Sequence, residues 1–125
     1  MRGKFVMVRS SLLVVGFLLA HGAYAHTGLA SSEPSAGATV AAPVAEIVLV
    51  FSDEVRLTAV ALTDGGGTEK TLGAFAKETA ARFVISVEEP LPPGEYTITW
   101  RAVGADTHLV AGEIPFSVSS GPRVQ

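Results

Sequence analysis

The sequence predicts an all-β single domain for residues 26–125, a Greek-key β-sandwich or barrel of about seven strands. Three observations lead there. The segment is built of short extended runs separated by Gly, Pro and Asp. Residues 95–103 alternate, with Tyr96, Ile98 and Trp100 on one side and Thr97, Thr99 and Arg101 on the other, the pattern of a half-buried strand. No stretch carries the apolar period of a long amphipathic helix.

Residues 1–25 are set apart from this domain. Arg2, Lys4 and Arg9, with no acidic residue near them, precede an apolar run over residues 12–20, and Ala23-Tyr24-Ala25 supplies the small residues of a cleavage site. The run is shorter than the roughly 20 residues a bilayer span needs. Residues 1–25 are therefore expected to be a signal peptide cut after Ala25, leaving His26 as the first residue of an exported protein; an uncleaved anchor is the alternative.

Within residues 26–125 the elements follow in order. Residues 46–51 are apolar on both phases, as in a strand covered on both faces, and Ser52-Asp53-Glu54 is expected to turn the chain. Residues 55–63 form the next strand, and Asp64-Gly65-Gly66-Gly67 a turn that uses glycine's access to positive φ. Residues 70–81 are mostly loop, with 74–81 able to form a short helix. Residues 82–87 alternate Phe83, Ile85 and Val87 on one face, and the proline-rich stretch 88–94 is a stiff connection to the strand at 95–103. Ile114, Phe116 and Val118 close the fold. Pro115, which has no N–H to give to a ladder, places that last strand at an edge or a bulge.

Charge and sulfur content narrow the chemistry. Beyond Ala25 there are six basic and twelve acidic residues, a net charge of −6, which disfavours nucleic acid and anionic membrane surfaces and favours a cation. The chain has no cysteine, and its two methionines, Met1 and Met7, both lie in the signal. A thiolate or thioether metal site is thereby excluded from the processed protein.

Two histidines remain after processing, His26 and His108. A histidine at a free N-terminus offers both its α-amine and its ring Nδ1 to one metal ion, a chelate that no internal residue can form. Asp106 and His108 are two apart and project to the same side of an extended segment. Together these groups make a set of three nitrogens and one oxygen, suited to one tetragonal Cu(II) ion, with zinc and nickel as weaker candidates. The same features have plainer accounts: a frayed, solvated terminus, and a turn closed by an Asx hydrogen bond.

HTGLASSEP at 26–34, IVLVFSDE at 47–54, PGEYTITWR at 93–101 and DTHLVAG at 106–112 together resemble the CopC (PcoC-like) periplasmic copper proteins over nearly the whole processed chain. The resemblance implies a Greek-key barrel of cupredoxin-like or immunoglobulin-like form, a periplasmic location, a role in copper tolerance or uptake, and delivery to an inner-membrane copper transporter of the CopD kind. It places Cu(II) ligands on His26, Asp106 and His108, and a further acidic group on Asp53, which as a solvated turn residue has an equally plain account. The methionine-rich loop that serves Cu(I) in some members has no counterpart, since residues 64–81 contain no Met. The expected function is thus a monomeric Cu(II) carrier or buffer and not an enzyme. Its rivals are an oxidase built on an N-terminal histidine brace, of the lytic polysaccharide type, and a metal-free interaction module.

Overall fold

The computed structural model describes residues 28–120. Seven strands make up this region: β1 (Leu29–Glu33), β2 (Thr39–Ala41), β3 (Glu46–Asp64), β4 (Glu69–Lys70), β5 (Ala80–Ser86), β6 (Gly94–Gly104) and β7 (Leu109–Ser119). No helix occurs among the described residues. The all-β expectation holds; the signal segment and His26 lie outside the described residues.

The largest departure from expectation is β3. Ser52-Asp53-Glu54 does not reverse the chain, and the two strands expected on either side of it are one strand of nineteen residues. The physical reason lies in the pleat: Ile47, Leu49 and Phe51 before the polar triplet and Val55 and Leu57 after it keep the same phase and are all buried. The triplet marks where the strand changes neighbours. Its first part lies between β1 and β5, and from Val55 onward it pairs with β6. A bulge then changes the phase: Leu57 pairs with Ala102 and Ala59 with Arg101, leaving Thr58 extra, so that Leu62 becomes the next fully buried residue. The Thr58 hydroxyl donates to the Arg101 carbonyl at 3.2 Å and closes the bulge.

The sheet runs in the order β1-β3-β6-β7-β2, with β4 and β5 also on β3, and it curls around one apolar core. The expected alternation in β6 and β7 is met: Tyr96, Ile98, Trp100 and Ala102, and Ile114, Phe116 and Val118, all point inward. Phe51 packs edge-on against Trp100 at 5.1 Å and against Phe83 at 6.0 Å, the favoured geometry for aromatic pairs. The Tyr96 hydroxyl donates to the Pro92 carbonyl and pins the proline-rich connection to the core.

Pro115 sits where β7 pairs with β6 but has no second strand beside it, and its carbonyl accepts the Gly37 N–H at 2.7 Å. The glycine turn also forms as expected. Asp64 accepts the N–H groups of Gly66 and Thr68, each at 2.9 Å, and Gly67 has φ 88°. The short helix considered for 74–81 does not form. Residues 73–79 there form no regular element; Leu72, just before them, is bridged to Val87, Leu72 and Phe75 pack on the core, and a helix of two turns is too short to persist by itself.

Gly112 occupies the inward position opposite Trp100. A Cβ there would lie 2.8 Å from the indole Cζ2, inside any real contact distance, so the ring takes the space that a side chain would need. Gly112→Ala should therefore lower the unfolding free energy by about 1–3 kcal/mol, as overpacking does. Ala111→Ser, on the exposed face beside it, should stay within about 0.5 kcal/mol. Urea unfolding followed by Trp100 fluorescence measures both; equal midpoints for the two variants would refute the packing account.

Candidate metal centre

The bend of β3 and the turn between β6 and β7 meet at one end of the barrel, because Val55 pairs with Gly104. Between them lies a cavity of about 430 Å³, whose walls include Gly28, Ser52, Asp53, Glu54, Asp106 and His108.

The turn is organised by Asp106. The Gly104 N–H donates to the His108 carbonyl at 3.0 Å, the Thr107 N–H donates to the Gly104 carbonyl at 2.9 Å, and Thr107 takes φ 65°. One carboxylate oxygen of Asp106 accepts the backbone N–H of His108 at 3.1 Å, and the other lies 2.8 Å from its ring Nδ1. Asp106 and His108 are therefore together, but not through strand alternation: Thr107 is left-handed, and the carboxylate grips its neighbour from a turn. The Asx bond of the plainer account is present within the same contact that orients the ring.

The electrostatics follow from that contact. Hydrogen bonding of the carboxylate to the His108 ring, then to its backbone N–H, holds the Asp106 pKa below its ordinary value of 3.8. The same side-chain hydrogen bond, aided by the negative charge, raises the His108 pKa above 6.5. Both side chains are largely exposed, at 81% and 69%, so the pair adds little to stability. The sign is nonetheless defined. The histidine's contribution is complete below 6.5 and is lost as pH rises through its raised pKa; the aspartate's is complete above 3.8 and is lost as pH falls through its lowered one. With Nδ1 engaged by Asp106, Nε2 is the ring nitrogen without a partner among the described residues.

Asp53 lies on the β3 bend and shares the cavity with Asp106 and His108. Glu54 lines it as well, although no sequence motif singles it out; its adjacency to Asp53 at the end of a buried run was the only available signal. No three His, Cys, Asp or Glu residues among those described form a group able to hold a metal ion. The described part of the site is thus an aspartate–histidine pair with two further carboxylates in the cavity wall. His26 lies outside the described residues, but Gly28, two residues beyond it, is in that wall. Trp100 and Tyr96 are core residues, as expected, and Arg101 is exposed with no ion pair among the described residues.

Residues 29–119 match the CopC domain family. The chain is 38% identical over 116 residues to copper resistance protein C of Escherichia coli, covering 85% of this chain and 90% of that one. The crystal structure of PcoC, a methionine-rich copper resistance protein from Escherichia coli, superposes with a TM-score of 0.62 at 34% identity, over 75% of this chain and 99% of that one. CopC from Methylosinus trichosporium OB3b shares the fold, with a TM-score of 0.67 at 22% identity over 80% and 100% of the two chains. The match over residues 29–119 and these likenesses agree with the fold, and the chain belongs to the CopC family of copper-resistance proteins.

Proposed function

We propose that this protein, exported and cut after Ala25, binds one Cu(II) ion and carries it outside the cytoplasm to an inner-membrane copper transporter of the CopD kind. The donors are the α-amine and ring of His26, the ring of His108 and the carboxylate of Asp106, with Asp53 beside them. The observation that carries this reading is the cavity that Asp106, His108, Asp53 and Gly28 line in common, in a chain that belongs to a copper-resistance family. Sulfur is absent beyond Met7, so Cu(I) has no soft donor here, whereas nitrogen and carboxylate donors suit Cu(II). The carrier acts as a monomer, and its function is binding and release rather than turnover. A polymer-oxidising reading gains no support, because Phe51, Phe83, Tyr96, Trp100 and Phe116 are all buried and form no exposed platform.

Proton competition governs such a site. Copper must displace a proton from an amine of reference pKa about 7.7–8.0 and from two imidazoles, one of which Asp106 makes harder to deprotonate.

Four outcomes are expected. The processed protein should bind Cu(II) about a hundredfold or more tightly than a form with one extra residue before His26, since a peptide nitrogen cannot replace the tethered amine. Isothermal titration against a competing chelator measures this, and equal affinities would remove the N-terminal chelate. Among single variants, His108→Ala should cost the most affinity, Asp106→Ala less and Asp53→Ala least; a reversed order would reassign the donors. In the metal-free protein, proton NMR should find His108 titrating above 6.5 and Asp106→Asn returning it toward that value. Copper affinity should accordingly fall with increasing steepness from pH 8 to 5, and a flat profile over that range would exclude a three-nitrogen site.

A further inference from the structure

Trp100 is 1% exposed, and its indole N–H is a buried donor with no hydrogen-bond partner among the described residues. Such a group is uncommon in a folded core, because a donor taken from water without an acceptor loses its hydration and gains nothing in return. Gly112 shows where that donor lies. Nε1 is 2.9 Å and Cε2 3.0 Å from the point that a Cβ on Gly112 would take. The N–H edge of the ring therefore fills the space on the inner side of β7 that a side chain would occupy.

Trp100 and Gly112 are also walls of a cavity of about 440 Å³ between β1 and β7. Its origin is the incomplete closure of the sheet: no ladder joins β1 to β7, and β2 covers the outer side of β7 only over Ser117–Ser119. Leu29, Ala30, Ile114 and Pro115 make most of the lining apolar, and Glu113 is its one charged residue. Ser31 and Ser35 are exposed, and the buried Ser32 hydroxyl donates to the Pro34 carbonyl at 2.8 Å. The indole N–H is the polar group in these walls whose bond is still unmade.

Each property narrows what the cavity takes. The unmet donor asks for an acceptor atom, and the apolar walls ask for a hydrocarbon body around it. Glu113, in a chain with more acidic than basic residues, opposes a carboxylate or a phosphate. One carboxylate without an imidazole holds no transition metal. The volume lies at the small end of the range for ligand sites, about 300–1,000 Å³. We propose that the slot between β1 and β7 is a binding site for a small neutral molecule, largely apolar, whose carbonyl oxygen accepts the Trp100 indole N–H. It shares no lining residue with the candidate metal centre and does not rest on the copper reading.

The test is a nuclear magnetic resonance titration of the isotope-labelled whole protein, in which the single tryptophan gives one indole N–H resonance. Cyclopentanone should saturate with a dissociation constant of about 1–10 mM, as suits a ligand of few heavy atoms. It should draw the indole N–H downfield, with the amides of Leu29, Ala30 and Ile114 moving along the same curve. Cyclopentane, the same ring without the oxygen, should bind about tenfold more weakly and cause no downfield shift. Cyclopentanecarboxylate, whose charge would be buried, should bind more weakly than the ketone. Trp100→Phe keeps an aromatic ring and removes the donor, so ligand-detected measurements on folded variant should find ketone and hydrocarbon bound alike; the wild-type comparison decides the matter if that variant does not fold. No saturable shift with the ketone, or equal affinity for ketone and hydrocarbon in wild type, would overturn the proposal. So would an indole N–H that exchanges magnetisation with a bound water the ketone does not displace, since water would then be the missing acceptor. An indole resonance that moves with protein concentration alone would put a second copy of the chain in the slot and overturn it as well.

Discussion

The fold depends on one constraint, that the nineteen residues of β3 stay a single hydrogen-bonded strand while passing from one set of neighbours to another. Four of the other six strands pair directly with it: β1 and β5 along its first part, β6 and β4 along its second. Without β3 only the ladder of β6, β7 and β2 would remain. Apolar phase carries the strand through its bend, and the bulge at Thr58 corrects the phase afterwards so that both ends of the strand face the same core. With no cysteine to cross-link the layers, this continuity takes the place that disulfides hold in many small exported domains.

The same bend places the candidate site. Because β3 changes neighbours at Ser52–Glu54 without breaking, its polar triplet is brought against the β6–β7 turn, and Asp53 and Glu54 come to share a cavity with Asp106 and His108. Three carboxylates around one imidazole, in a chain with an excess of acidic groups, make a local field that attracts cations and repels anions before any bond is formed. In the site proposed above, selectivity for copper would be a separate matter from this field and would come from donor type, through nitrogen and the lack of sulfur.

Much of this was legible in the sequence, and the reasons are specific. The strand at β6 was plain because Tyr96, Ile98 and Trp100 alternate with polar residues over a long run, and a sustained period of two fits a strand and not a helix. Pro115 announced a stretch with no strand on one side, though β7 itself lies between β6 and β2, because a missing N–H is a local fact. The continuity of β3 was not legible, since Ser-Asp-Glu between apolar runs has the composition of a turn, and only the neighbouring strands decide that it stays extended. β1 and β2 were hidden for a related reason. LASSE and TVA have little apolar content, and what holds them is backbone pairing to β3 and β7. At the site, the pairing of Asp106 with His108 was foreseen from their spacing, but the turn that produces it, with Thr107 left-handed, has no signature in residue type. Glu54 was hidden by the same misjudged turn that divided β3.

The openness of the Asp106–His108 turn bears on kinetics. Both side chains stand mostly in solvent, on a turn held by a few short-range bonds rather than by burial. A metal ion held there would keep one flank accessible to an approaching donor from another protein. That donor could bind before the last one here let go, so transfer would proceed by replacing ligands one at a time, and the ion would never have to pass through water alone. Under such a scheme the lifetime of the complex is set by the arriving partner and not by the equilibrium constant, and tight holding is compatible with fast delivery.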